Sequence, residues 1–221
     1  MNNISSVATR LSPFFRAHGF KRKNTKFFKI QNNIAFCAGL ERPGGLYSLS
    51  YIIPLYIPTS VPHITFGGRM QDFKPFPVVG FDFYWDEPSK LDVFIEQTME
   101  CCEKYFFPLY DTISTPEGLM DFLNKGYKYA HSFFTNLDII HYYELKLYTN
   151  FVLSRCDDMV SDVANMCLEI DDCLCCSKEQ RADWKSSVTK FADFRFAPEE
   201  EKQEFIKNTI EHSLIACRFK K

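Results

Sequence analysis

The chain has 221 residues, 46% hydrophobic and 24% charged, an ordinary globular balance with enough length to bury one large core unaided. Lys plus Arg total 26 against 28 for Asp plus Glu, a net charge of −2 that excludes a global field for nucleic acid or anionic membranes. The 23 Phe and 11 Tyr point to a core filled by aromatic side chains.

Ile4, Val7, Ala8 and Leu11 follow the i, i+3, i+4, i+7 spacing of a helix with one buried face; Pro13 disturbs its last turn and Gly19 stops it. From Lys26 the period changes to two. Phe28 and Ile30 alternate with Lys29 and Gln31, and Ile34, Phe36, Ala38 and Leu40 alternate again after Asn32-Asn33, a pair that tolerates left-handed backbone. This predicts a hairpin. Pro43-Gly44-Gly45 marks a second turn, after which Tyr47, Leu49, Tyr51, Ile53, Leu55 and Ile57 share one strand face. Pro54 places the second half of that strand at an edge or a bulge. Residues 58–80 carry repeated Pro and Gly and read as a loop-rich crossing with one short strand near His63 to Phe66. Phe81, Phe83 and Trp85 predict a last strand.

Helices follow. Ser89 and Asp92 form a capping signature for a long helix whose face runs from Leu91 to Leu109, kinked or ended by Pro108. Thr115-Pro116-Glu117 opens a short helix closed by Gly126. Asn136 opens another, with Ile140, Tyr143, Leu147 and Phe151 inward. Val160, Val163, Cys167, Ile170 and Leu174 mark the next, and Ser177 with Gln180 caps one carrying Trp184, Val188 and Phe191. Pro198 and three glutamates start the last, with Phe205, Ile206, Thr209, Ile210, Ser213 and Cys217 on its face. Strands before helices argue an α+β fold. The expected architecture is an N-terminal helix, a curved antiparallel sheet covered by a long helix, and a C-terminal helical bundle. It divides into an α+β sheet domain over 1–125 and a helical extension over 126–221 packed on the same core.

The run Leu11-Ser12-Pro13-Phe14-Phe15-Arg16-Ala17-His18-Gly19-Phe20-Lys21-Arg22-Lys23, followed by Phe27-Phe28-Lys29, resembles the opening of the bacterial family called domain of unknown function 4304. Trp85 and Tyr105-Phe106-Phe107-Pro108-Leu109-Tyr110 fit a later stretch of that family, so the resemblance covers residues 4 to about 125. The chain departs from the family at Leu40-Glu41-Arg42, where a Gln usually follows the second strand. The resemblance implies an α+β fold and a bacterial cytoplasmic protein. It implies no activity.

Nine cysteines show no secreted framework, and Met1-Asn2-Asn3-Ile4 lacks the basic start of a signal peptide, so free thiols in a reducing cytoplasm are expected. The longest apolar runs, such as Tyr51 to Ile57, are too short to cross a bilayer. Cys167, Cys173, Cys175 and Cys176, with Asp171 and Asp172, offer zinc ligands, but their spacing matches no common zinc module. Buried thiols explain them as well, and no metal or cofactor is expected. Of the five histidines only His63 falls in a loop with other polar groups, Arg69 and Asp72, which together make the expected ligand site. Arg16, Lys21, Arg22, Lys23, Lys26 and Lys29 form a basic cluster that suits edge protection better than nucleic-acid binding. Asp157, Asp158, Asp162, Glu169, Asp171 and Asp172 form an acidic counterpart, suited to steering a basic partner. No phosphate loop, nucleophile elbow or metal-protease motif occurs.

The function expected from these patterns is a non-catalytic protein-binding domain, in its sharpest form an immunity-type protein that blocks a basic toxin through Asp157, Asp158 and Asp162. The alternatives are a small enzyme or ligand binder using the 59–80 loop, and a metal-binding module at the 167–176 cysteines.

Overall fold

The computed structural model describes residues 4–41, 47–58, 66–69, 88–134 and 137–219. Helix α1 (Ile4–Ala17) buries Val7, Ala8, Leu11 and Phe15, the face its spacing predicts, and accommodates Pro13 without a break. It ends in a Schellman motif: Gly19 N–H donates to Arg16 O at 3.0 Å and Phe20 N–H to Phe15 O at 2.9 Å, with Gly19 at φ 82°. That cap turns Phe20 back onto Phe15, edge to face at 5.5 Å. The Gly-Phe-Lys run is therefore a device for leaving the helix and entering the sheet.

Among the described residues, five antiparallel strands follow in simple meander order: β1 (Lys21–Lys23), β2 (Lys26–Gln31), β3 (Ile34–Glu41), β4 (Tyr47–Pro54) and β5 (Phe66–Arg69). Asn32 and Asn33 both have positive φ, 47° and 63°, as a two-residue type I′ hairpin turn requires. β4 stops at Pro54, and Leu55 and Ile57 lie beyond it in a turn, still buried. The short strand expected near His63 to Phe66 forms instead over β5, while the strand expected at 81–85 and the turn at 43–45 lie outside the described residues.

The sheet is covered on both faces, which single-face alternation does not anticipate. Phe27, Ile34, Phe36, Ala38, Leu40 and Ile52 face α1 and the long helix. Phe27 stacks on Phe15 at 4.2 Å and Phe36 on Tyr110 at 4.5 Å. Ala35, Ile53 and Leu55 face the opposite way, against Ile210, Leu214 and Phe219 near the chain's end. On β2 the fully buried aromatic is Phe27, not Phe28, which is half-buried on the far face and stacks on Phe219 at 4.9 Å. With apolar residues on both sides of the pleat, the period-two pattern carries no preference for one face.

The long helix runs as α2 (Pro88–Cys101), a π-helical turn (Cys102–Phe106) and α3 (Phe107–Thr112). Pro108 neither ends nor breaks it. Phe107 N–H donates to Cys102 O, five residues back, and this widened turn immediately precedes the proline. Proline has no N–H and its ring crowds the carbonyl four residues earlier, so a wider turn there absorbs the misfit.

Helices α4 (Pro116–Leu123), α5 (Tyr127–Phe133), α6 (Ile139–Val152), α7 (Cys156–Asp172), α8 (Lys178–Asp193) and α9 (Glu199–Ala216) complete the fold. Thr115 caps α4 as predicted, accepting from Gly118 N–H at 3.0 Å, and Ser177 and Gln180 form the expected capping box on α8. Asp138, rather than Asn136, caps α6, accepting from His141 N–H at 2.8 Å. α6 is buried nearly all round, through Ile140, Tyr142, Leu145, Leu147, Thr149, Asn150 and Phe151, and is the axle of the helical region. The larger core extends from Val7 to Leu145, and a second core holds Ile140, Leu147, Phe151, Met159, Met166, Ile170 and Val188. The result is an α+β fold with an N-terminal helix and a C-terminal helical region. No described helix is long and apolar enough to cross a membrane.

α9 ends in the same motif as α1. Arg218 N–H donates to Ile215 O at 2.8 Å and Phe219 N–H to Leu214 O at 2.9 Å. The left-handed position is held by Arg218, at φ 57°, where glycine carries no steric cost. Arg218→Gly is therefore expected to raise the unfolding free energy by about 0.5–1 kcal/mol. Urea denaturation checks this.

Candidate functional site

α7 carries the acidic cluster. Asp157 and Asp158 stand exposed in its first turn, where carboxylates suit the positive end of the helix dipole. Asp162 must be withdrawn from that surface, because its residue is only 2% exposed. The inward face of α7 is centred on Met159, Asp162, Met166 and Ile170, with the expected Val163 half-buried against the same core, whereas Val160 turns outward. Asp162 Oδ2 accepts from Asn150 Nδ2 at 2.7 Å, and Oδ1 lies 3.2 Å from Lys146 Nζ, both partners on α6. Burial pushes the Asp162 carboxyl above its ordinary range, and Lys146 and Asn150 offset this only in part. It is a structural polar link between α6 and α7.

With that rotation the outward face changes character. Val160 is 47% exposed and Leu168 64%, and exposed Ala164 lies midway between them at helical spacing. The row is about 12 Å long at the helical rise. Asp157 and Asp158 bracket it at one end and Asp171 and Asp172 at the other. Asp171 is partly neutralised by Lys185 Nζ at 2.6 Å. The face is thus an apolar strip with acidic ends.

The α7–α8 joint holds the cysteine cluster. Cys173 caps α7, and Cys176 directly precedes the Ser177 cap of α8. Their Sγ atoms stand 3.6 Å apart, and both thiols are free. Arg181 Nη1 donates to Asp171 O and Cys173 O, each at 3.0 Å, and fastens the joint. Among the described residues no three His, Cys, Asp or Glu side chains are placed to hold a metal ion.

Of the loop site expected at His63, Arg69 and Asp72, His63 and Asp72 lie outside the described residues. Arg69 ends β5, paired in register with Leu49. The basic cluster resolves as an edge. β1 is the outer strand, paired only with β2 among the described residues, and its sequence is Lys-Arg-Lys. Arg22 donates to Asn24 O at 2.7 Å and to Thr9 Oγ1 at 3.0 Å, tying this edge to α1, and Lys23 donates to Arg218 O.

Sequence reasoning missed one further feature. A cavity of about 260 Å³ opens between the β1–β2 hairpin and the end of α9, lined by Lys23, Lys26, Phe28, Cys37, Cys217 and Arg218 among others. Its walls lie nearly two hundred residues apart in sequence, so no local pattern announces it. Burial and the neighbouring Cys217 push the Cys37 thiol up to about 12.

Comparison of the chain with family models, with curated proteins and with solved structures finds no match.

Proposed function

We propose that this chain is a cytoplasmic, non-catalytic protein-binding domain that docks through the outward face of α7. The observation that supports this most strongly is the strip Val160, Ala164 and Leu168, exposed on a well-formed helix and bracketed by Asp157, Asp158 and Asp172. Solvent-facing helix positions are ordinarily polar, and a bracketed apolar strip matches a helix or groove presenting an apolar ridge with Lys or Arg at its ends. The carboxylates steer the basic partner and the strip supplies the contact area. An immunity-type role, capping a basic toxin, is the sharpest form of this reading. The resemblance to domain of unknown function 4304 supports a bacterial setting and adds no activity.

The test is capture from the source cell, with identification of what is retained. Val160→Ser with Leu168→Ser is expected to weaken capture of one discrete basic polypeptide about tenfold or more, from the apolar area withdrawn. Asp157→Ser with Asp158→Ser is expected to weaken it mainly at low salt. The carboxylate pair should lower stability by no more than about 1 kcal/mol, the scale of losing two exposed charges from the first turn of α7. Retention of the same polypeptides by every variant would sink the proposal.

A second reading rests on the cavity beside α9. Lys23, Lys26 and Arg218 around an apolar floor suit a small anionic ligand with a flat apolar body. Arg218→Gly separates fold from binding here, because it relieves the left-handed backbone while removing one of the cations. Loss of anion binding with gained stability supports this site, and unchanged binding removes it.

A further inference from the structure

We propose that Cys173 and Cys176 form a thiol–disulfide exchange site, in which Cys173 attacks a low-molecular-weight disulfide and Cys176 resolves the adduct. The inference stands apart from the proposed docking face and needs no partner protein.

The geometry carries it. Cys173-Leu174-Cys175-Cys176 places the Cys173 and Cys176 thiols with two residues between them, in the turn between the end of α7 and the cap of α8. The Sγ atoms are 3.6 Å apart, within reach of a bond by small side-chain rotations, yet both thiols are free. Both anchors of the turn are fixed, by the Arg181 hydrogen bonds on one side and the Ser177–Gln180 capping box on the other. Leu174 and Cys175, which cross between the two cysteines, are exposed, and Cys173 and Cys176 are each partly exposed, with Cys173 resting against the second core.

The two thiols are also unequal. The backbone N–H of Cys175, followed by the Cys176 side chain, stabilises the Cys173 thiolate and draws its pKa down. Cys176 is raised, first through its hydrogen bond to Cys173. A lowered thiol beside a raised one is the arrangement of an attacking and a resolving cysteine. Elsewhere burial works the other way, pushing Cys101 up to about 12 and Cys102 well above its ordinary value. Those thiols have no comparable thiolate fraction at neutral pH.

The chemistry balances as written. The Cys173 thiolate attacks one sulfur of R–S–S–R, forming Cys173–S–S–R and releasing the first RS⁻, which takes up a proton. Cys176 loses its proton as its sulfur attacks Cys173 Sγ, and the second RS⁻ leaves and is protonated. The protein dithiol is oxidised by two electrons and one small disulfide is reduced to two thiols.

Oxidised glutathione is the probe. After incubation at neutral pH and acid quenching, peptide mapping of the wild-type chain is expected to find a Cys173–Cys176 disulfide. Cys176→Ser is expected to hold a stable glutathione adduct on Cys173, and Cys175→Ser to behave as wild type. Formation of the disulfide at Cys173–Cys175, glutathione on Cys175 in place of Cys173, or no bond between Cys173 and Cys176 would each overturn the proposal. The wild-type mapping needs no substitution, so a variant that fails to fold does not shield the idea.

Discussion

Replacing Asp162 with Ala is expected to lower the unfolding free energy by about 3 kcal/mol, the scale of breaking a buried pair by removing one partner. Asn150 loses the acceptor for its Nδ2, and its Oδ1 is already buried without a partner. Lys146 loses its carboxylate while its side chain is only 20% exposed. Ala also leaves a void between α6 and α7. Asp162→Asn keeps an acceptor for Asn150 and should cost less than about 1 kcal/mol at pH 7.

The two variants separate further with pH. Burial raises the folded Asp162 carboxyl above its unfolded value, with a smaller push from Asp158. Folding therefore favours the protonated form. That contribution is fully present below the unfolded pKa of about 3.9 and is lost as pH rises through the raised folded value. Wild type should lose stability relative to Asp162→Asn across that window. Glu144, also raised by burial, is present in both chains and cancels in the difference. Urea denaturation at a series of pH values measures this. A flat difference, or Asp162→Ala as stable as wild type, would show that the link between α6 and α7 does not matter.

The second large effect is at Gly118. A Cβ built there would sit 2.2 Å from Thr112 O, which is backbone at the end of α3. Neither partner is a flexible side-chain tip, so α3 and α4 must separate or the Thr115 cap must open. Gly118→Ala is expected to cost about 2–3 kcal/mol net of the roughly 1 kcal/mol that Ala gains over Gly in a helix. Gly39 is the control, since a Cβ there meets only the Lys26 side chain, at 3.4 Å. Thermal unfolding of both variants decides it, and equal midpoints would contradict the close approach.

Local chemistry made much of this fold legible. Asn32-Asn33, Thr115-Pro116 and Ser177 with Gln180 each act through groups within a few residues, and each forms as read. The face of α9 also holds: Thr209 and Ser213 are buried, and Ile210 and Cys217 meet the sheet. The readings that shifted depend on distant partners. Phe27 and Phe28 are chemically identical, and only α1 on one side and Phe219 on the other assign their faces. On α7, Val160 and Met159 are both apolar neighbours. The deciding residue is Asp162, which a polarity rule places outside and the α6 residues Lys146 and Asn150 draw inside. That single rotation moves the candidate surface from a purely acidic patch to an apolar strip with acidic ends. Lys21, Arg22 and Lys23 read as edge protection, but β1 itself goes unannounced because a three-residue strand is too short to show a period.

The outward face of α7 as the docking surface is tested most directly by site-specific photo-crosslinking. Ala164→benzoylphenylalanine puts a crosslinker in the middle of the strip, and the same replacement at exposed Lys207 on α9 serves as control. The account predicts one discrete crosslinked species from position 164, carrying a basic polypeptide, reduced by Asp157→Ser with Asp158→Ser, and absent from position 207. No adduct at 164, or the same adducts from both positions, would contradict it.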